Sequence, residues 1–231
     1  MRGHRENQLL SRLDRATFAH LEPHLIIAEL RQGFAIAETH AHVQRVYFPH
    51  GGIISCVVEL SNGGRIETGM IGRDGQYGAG PAMDHKISLN HVVMLVAGSA
   101  SVVDADRLRD LTQENPKLRQ MLMHYEQFFL AQVQQTCACN AVHDVYSRTC
   151  KWLLRMQQLV GNDMPLTQEF LAQMIGVRRT SVTAVAGKLQ DAGLISYSRG
   201  RVHIVDIARI QQRACECGAA VNSHYARIFD I

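Results

Sequence analysis

Between Thr167 and Val205 the chain switches from helical to strand periodicity around a few glycines, and this switch constrains the fold more than any other feature. Thr167 is a plausible helix N-cap, because its hydroxyl can accept from an unpaired first-turn N–H. Phe170, Leu171 and Met174 then give a short helix its apolar face. Gly176 suits the left-handed conformation of a tight corner between helices. Val182, Val185, Ala186 and Leu189 recur at i, i+3, i+4 and i+7, the buried stripe of a second helix. Gly193 ends that helix. Two strands follow, over 194–198 and 201–205, joined by Arg199-Gly200.

Helix, glycine corner, helix and ribbon together predict a winged helix-turn-helix, in which the second helix enters the major groove of DNA. Its outward face carries Arg178, Arg179, Thr180 and Thr183. Charge distribution agrees. Residues 141–231 hold 11 Lys/Arg against 7 Asp/Glu, whereas residues 1–140 hold 13 against 14. From 178 to 205 the basic residues are Arg178, Arg179, Lys188, Arg199 and Arg201, and Asp191 is the single acid. Such a concentration suits a phosphate-binding surface. An ordinary solvated face is the competing reading of the charge, and a winged helix used for protein contacts is the competing reading of the motif.

The rest of the 231-residue chain reads as a second domain. Residues 6–32 have mostly helical spacing, with Leu9, Leu10, Leu13, Phe18 and Leu21 recurring. Beyond Gly33 come short β-branched runs at 46–48, 53–60, 65–71, 92–96 and 100–103, with Asn62-Gly63-Gly64 as a hairpin turn. Several short strands of this kind predict a small barrel or jelly roll. Helix returns near Asp104, and Pro116 restarts it. Leu118, Met121, Leu122, Tyr125, Phe128, Phe129, Gln132, Val133 and Thr136 then keep a 3–4 spacing close to a coiled-coil seam. The stripe is wide enough to face both its own barrel and a partner, so a helix over 116–137 is expected to pair two chains; packing wholly within its own domain is the alternative. Another helix is expected over 142–160. These elements divide the chain into domains at 1–140 and 141–231. No apolar run reaches the roughly 18 residues a spanning helix needs, so no membrane partner is expected. The charged N-terminus lacks a signal core, which makes the cytoplasm the expected location.

The stretch LTQEFLAQMIGVRRTSVTAVAGKLQDAGLISYSRGRVHIVD resembles the winged helix of the Crp/Fnr family of bacterial transcription regulators. The order of parts resembles that family too. The resemblance implies an α+β chain with an N-terminal cyclic-nucleotide-binding-like β jelly roll, a long dimerisation helix and a C-terminal winged helix-turn-helix domain. It implies a homodimer on double-stranded DNA, at a near-palindromic operator, with RNA polymerase as a further partner and an effector whose identity is open. By position, Arg179 matches the family's first base-reading Arg, while Gln168 and Ser181 match phosphate-contacting positions. Thr180 stands where many members have an acidic base reader, and Ala184 where a well-known member has a second Arg. Arg199, Arg201 and His203 fall in the wing, and Arg178, Thr183 and Lys188 complete the expected DNA-binding set.

Members that bind cyclic nucleotides share a Gly-Glu pair for the ribose and an Arg about ten residues later for the phosphate. The corresponding stretch here is GRDGQYGAGPAMDHKISLNHVV, from Gly72. Ala79 falls where the Glu belongs, between Gly78 and Gly80, and no Arg occurs between Arg73 and Arg107. Pro81 removes a backbone donor as well. The phosphate lacks its bidentate partner, which Lys86 or His91 would not reproduce. Gly78, Ala79 and Gly80 are retained as candidate effector-binding residues. The chain is read as not gated by cyclic AMP; a cyclic-nucleotide-responsive regulator and a thiol or metal redox sensor are the alternatives.

No cysteine precedes Cys56, which leaves an N-terminal iron–sulfur cluster unsupported. Two Cys-x-Cys pairs remain, Cys137/Cys139 and Cys215/Cys217. On a helix, i and i+2 point about 200° apart, so neither pair chelates unless the helix is broken. Cys139 and His143 share a helical face, but a tetrahedral site would need ligands from another segment or chain. Small buried hydrophobes are the simpler reading of these cysteines. The expectation is no metal, no cofactor and no catalytic constellation.

Overall fold

A computed structural model describes residues 3–83 and 87–229. The chain divides into two compact units, Met1–Val57 with Met70–Leu130 and Val58–Gly69 with Ala131–Ile231.

The first part opens with two short helices, α1 (Gln8–Arg12) and α2 (Arg15–Leu21). Asn7 explains where α1 begins. Its side-chain oxygen accepts from the N–H groups of Leu9 and Leu10, and its amide donates to the carbonyls of Pro49 and Gly75 at 2.9 and 2.8 Å. The group is fully buried, and these four hydrogen bonds offset its desolvation.

Two small sheets follow. One has the order β1 (Ile26–Leu30), β7 (Gly98–Asp104), β3 (Arg45–Pro49). The other has the order β2 (Ala35–Ala37), β6 (His91–Val96), β4 (Ile53–Glu59), β5 (Arg65–Ile71). The pairings of β7 with β1 and β3, and of β6 with β2 and β4, are antiparallel. A short helix, α3 (Ala79–Met83), lies between β5 and β6 in sequence, and α4 (Ala105–Glu114) follows β7. Leu9, Leu10, Phe48, Ile53, Met94 and Leu108 are fully buried in the resulting core.

The helical expectation for 6–32 is corrected at its end. Pro23 interrupts the helix in a single 3₁₀ turn, and Ile26–Leu30 is strand β1. Strand β1 lies at the edge of its sheet, which leaves Ile26 and Ile27 exposed and hides the alternation that would have marked it. The other anticipated strands and the Asn62-Gly63-Gly64 turn are present; Leu60 N–H donates to the Gly64 carbonyl at 2.8 Å across that turn.

Helix α5 (Pro116–Val142) runs 27 residues, about 40 Å at 1.5 Å per residue. It continues past the expected end at 137. Helix α6 (Val145–Val160) starts afresh at Asp144, whose carboxylate accepts from the N–H groups of Tyr146 and Ser147. Leu118, Met121, Leu122, Tyr125, Phe128, Gln132 and Thr136 are already buried by their own chain, and Phe129 and Val133 are half-buried. Spacing identifies an apolar face but not what covers it. The face of α5 open to solvent runs through Met123, Gln127, Leu130, Gln134 and Cys137, with Met123 51% and Leu130 57% exposed.

The C-terminal part continues with β8 (Asp163–Pro165), α7 (Gln168–Ile175), α8 (Arg179–Asp191), β9 (Ile195–Ser198), β10 (Arg201–Ile204), α9 (Ile207–Gln211) and α10 (Cys217–Phe229). Its three-stranded sheet has the order β8-β10-β9. No described helix is long and apolar enough to cross a membrane.

Candidate nucleic-acid interface

The Thr167 hydroxyl caps α7 by accepting from Phe170 N–H at 3.2 Å. Leu171, Ala172, Met174 and Ile175 are buried, whereas Phe170 is half-buried. Gly176 closes the helix at φ 67° and ψ 42°, the left-handed corner its position predicts. The buried Arg148 guanidinium of α6 donates to the Ile175 carbonyl, satisfying one acceptor that the helix end leaves over.

The next helix, α8, buries Val182, Val185, Ala186 and Leu189, the four residues of the predicted stripe. At about 100° per residue, the opposite face centres on Thr180, Ala184 and Gly187. Arg178, Arg179, Thr180, Thr183 and Lys188 are exposed, and Ser181 is half-buried. Arg178 is the N-cap in extended conformation, with no side-chain cap and no acid in the first turn. The positive end of the helix dipole is therefore left for an outside anion.

Two of the predicted residues meet directly. The single Thr183 hydroxyl proton is shared between the Gln168 side-chain oxygen, at 2.9 Å, and the Arg179 carbonyl, at 3.1 Å. Gln168 thus keeps its amide donors for another acceptor. Tyr197 of β9 was not singled out from the sequence. Burial pushes its phenol up from the ordinary value, opposed by a hydrogen bond with the Gln168 backbone and by the Arg179 charge. An aromatic ring on a four-residue strand gives no sequence signal for that placement.

Gly193, at φ 69°, ends α8; its N–H donates to Gln190 O at 2.8 Å, and Leu194 N–H to Leu189 O at 2.9 Å. Arg199 (φ 47°) and Gly200 (φ 72°) then form the turn between β9 and β10, both with the positive φ that a tight two-residue hairpin requires. Along β10, Arg201 and His203 are exposed while Val202 and Ile204 are buried. The outer strand β8 was not anticipated, since three residues including a proline show no period. It pairs with β10, and its Asp163 carboxylate bonds the His203 ring at 2.8 Å. His203 therefore faces an acid of its own sheet, whereas Arg199 lies in the ribbon's turn and Arg201 at the adjoining end of β10, both exposed.

The candidate effector segment is enclosed differently. Gly78 has φ 102°, and a Cβ there would meet the Arg45 carbonyl at 2.8 Å. Ala79 is buried, its N–H bonded to the Gln76 side-chain oxygen at 3.0 Å. Gly80 N–H donates to the Glu126 carboxylate at 3.0 Å, and the Gln76 amide donates to the same oxygen at 2.8 Å. A cavity of about 450 Å³ adjoins this group, lined in part by Tyr77, Ser88, Asn90 and Tyr125. Burial raises the Glu126 pKa above the usual carboxylate value, partly offset by those two hydrogen bonds. Burial also pushes the Tyr77 phenol up to about 12; its hydroxyl donates to Ser88 Oγ. His91 is bonded to Glu38 at 2.8 Å, and Lys86 lies outside the described residues.

Comparison with known proteins bears on both parts. Residues 147–213 match the model of the Crp-like helix-turn-helix domain. Among solved structures, FixK2 from Bradyrhizobium japonicum superposes with a TM-score of 0.71 at 14% identity, covering 83% of this chain and 98% of its own. A putative transcriptional regulator of the Crp/Fnr family from Eubacterium rectale gives 0.71 at 16% identity, covering 90% and 98%. The c-di-GMP-responsive global regulator CLP of Xanthomonas campestris gives 0.69 at 16% identity, covering 84% and 100%. No curated protein matches the sequence.

Proposed function

For a chain with a Crp-like helix-turn-helix domain within the Crp/Fnr fold, we propose a sequence-specific DNA-binding transcription regulator that acts as a homodimer. The observation that carries this reading is the division of α8 into a fully buried stripe and an exposed face headed by Arg179, Thr180 and Thr183. Ala184 and Gly187 on that face allow close approach to a groove floor. Arg179 is placed to read a base edge, and the uncapped N-terminus with Gln168 to hold a phosphate. Arg199 and Arg201 supply the wing's phosphate contacts, and His203 a weaker one, because Asp163 holds it. Residues 141–231 form the DNA-binding domain. Met123, Gln127, Leu130, Gln134 and Cys137 repeat at the spacing of a coiled-coil seam, which suits pairing of two α5 helices. Two such domains would face a near-palindromic site, with half-sites about one helical turn apart. RNA polymerase remains the expected protein partner.

Gating by cyclic AMP is disfavoured by Glu126. Its carboxyl group already occupies the Gly80 N–H, and a cyclic phosphate placed there would meet a half-buried acid. An operator selection with the full-length protein, repeated with scrambled duplex, tests the main reading. Enrichment of a palindrome bound more tightly than the scrambled control is expected; equal affinity for the two overturns it. Calorimetry with cyclic AMP and cyclic GMP tests the second point, and micromolar binding of either overturns it.

A further inference from the structure

The cysteines read as filler converge in the structure. Cys139 belongs to the last turn of α5, and His143 follows one turn on, its N–H still bonded to the Cys139 carbonyl at 3.1 Å. Cys215 lies in the link between α9 and α10, and Cys217 is the first residue of α10. The Cys215/Cys217 pair is therefore not on a continuous helix, which removes the geometric objection to chelation. One potential ligand atom from each of these four residues lies within 4.8 Å of all the others. The Cys139 and Cys215 sulfurs are 3.6 Å apart, as are the Cys217 sulfur and the His143 Nδ1. A tetrahedron built with metal–sulfur bonds of about 2.3 Å has edges of about 3.8 Å.

We propose that Cys139, His143, Cys215 and Cys217 form a tetrahedral Cys₃His site for one zinc-class divalent ion per chain. Four protein ligands close the coordination shell, as in sites that tie segments together and unlike catalytic ones. The clustering is too tight for an iron–sulfur cluster, whose cysteines spread around more than one iron.

The surroundings fit a metal better than they fit buried thiols. His143 presents Nδ1 to Cys217 and its other ring nitrogen, Nε2, to the Glu216 carboxylate at 3.2 Å. This carboxylate–histidine arrangement fixes the ring and the tautomer that binds metal. The Gln135 amide donates to the Cys217 sulfur at 3.2 Å. Lys151 is 8% exposed, and its ammonium lies 3.6 Å from the Cys139 sulfur. Three thiolates and a divalent ion carry one net negative charge, which the buried Lys151 cation beside Cys139 offsets. Binding releases the three thiol protons to solvent, with no change of oxidation state. A cavity of about 330 Å³ bordered by Cys215 and Cys217 gives the ion a route in. Loaded, the site staples the end of α5 to the start of α10.

The test uses reduced full-length protein loaded with Zn²⁺, or with Co²⁺ as a spectroscopic substitute, and then freed of excess metal. One zinc per chain is expected, together with tetrahedral Co²⁺ bands and thiolate-to-metal charge transfer. Cys215→Ser is expected to lose the metal, and Cys137→Ser, at an exposed position outside the cluster, to keep it. His143→Cys should keep the metal and strengthen the charge-transfer band, which covers the case in which Cys215→Ser fails to fold. Glu216→Gln should weaken affinity by about tenfold. Substoichiometric zinc, a six-coordinate Co²⁺ spectrum, a Cys139–Cys215 disulfide as the only product, or equal effects of Cys137→Ser and Cys215→Ser would each overturn the site.

Discussion

The Thr183 hydroxyl donates to the Gln168 side-chain oxygen at 2.9 Å, joining the start of α7 to the second turn of α8, the two helices proposed to meet DNA. The contact gives Thr183 an indirect role, since it orients the amide of Gln168 toward an outside acceptor. Thr183→Val should weaken operator binding by about 1 kcal/mol, and the same change in a Gln168→Ala background should cost far less. A double-mutant cycle on operator affinity measures this, and additive effects would refute the linkage.

Arg179 and Arg201 should separate by kind of contact. Arg179→Ala is expected to cost about 1–3 kcal/mol on the selected operator and little on scrambled DNA. Arg201→Ala should weaken both duplexes alike and lower the salt slope by about one. Fluorescence anisotropy across a salt series distinguishes the two patterns, and identical behaviour would show that neither residue reads bases.

Two glycines of this region should respond to alanine with opposite signs. At Gly176 the left-handed backbone makes a Cβ costly, by about 1–2 kcal/mol. At Gly187 the helix is regular and a Cβ would meet nothing within 4 Å, so alanine should stabilise by about 0.5–1 kcal/mol. Thermal denaturation reads both, and a lowered Tm for Gly187→Ala would be the contrary result.

Glu126 predicts a pH dependence. Burial raises its folded-state pKa above the unfolded carboxylate value of about 4.3. The folded protein therefore holds this proton more tightly than the unfolded chain does. The resulting stability is fully present below the unfolded pKa and is lost as pH rises through the folded one. Glu126→Gln removes the titration while keeping an oxygen for Gly80 N–H and the Gln76 amide. The variant should melt above the parent at pH 7.5, with the difference shrinking toward pH 4. A variant less stable at pH 7.5 would contradict the assignment.

Leu130→Glu should dissociate the proposed dimer, because it places a charge at the middle of the exposed face of α5. Sedimentation velocity should give a monomer that keeps the parent's circular dichroism. An unchanged mass would put the dimer interface elsewhere.

Legibility in the sequence followed the range of the interactions. The α8 stripe, the Thr167 cap and the Gly176 corner depend on neighbours within a turn or two, and their sequence expectations match the structure. Strands β1 and β8 escaped because an exposed edge and a three-residue proline-containing strand carry no period. The α5 stripe was visible as apolar, but how it divides between the chain's own core and a partner was not, since periodicity does not distinguish the two. The grouping of Cys139 and His143 with Cys215 and Cys217 was invisible for a related reason: over 70 residues separate the two pairs, and only tertiary folding brings them together. Tyr197 reaches Gln168 and Arg179 by the same kind of long-range placement.

Strand β10 is hydrogen-bonded on both sides, to β8 and to β9. Arg201 therefore has its main chain fixed before any encounter, and only its side-chain rotamers remain to be ordered on binding. Arg199, at the turn, lacks that double anchorage. Of the two wing cations, Arg201 is thus the pre-organised one, with the smaller entropic penalty for each phosphate contact it makes.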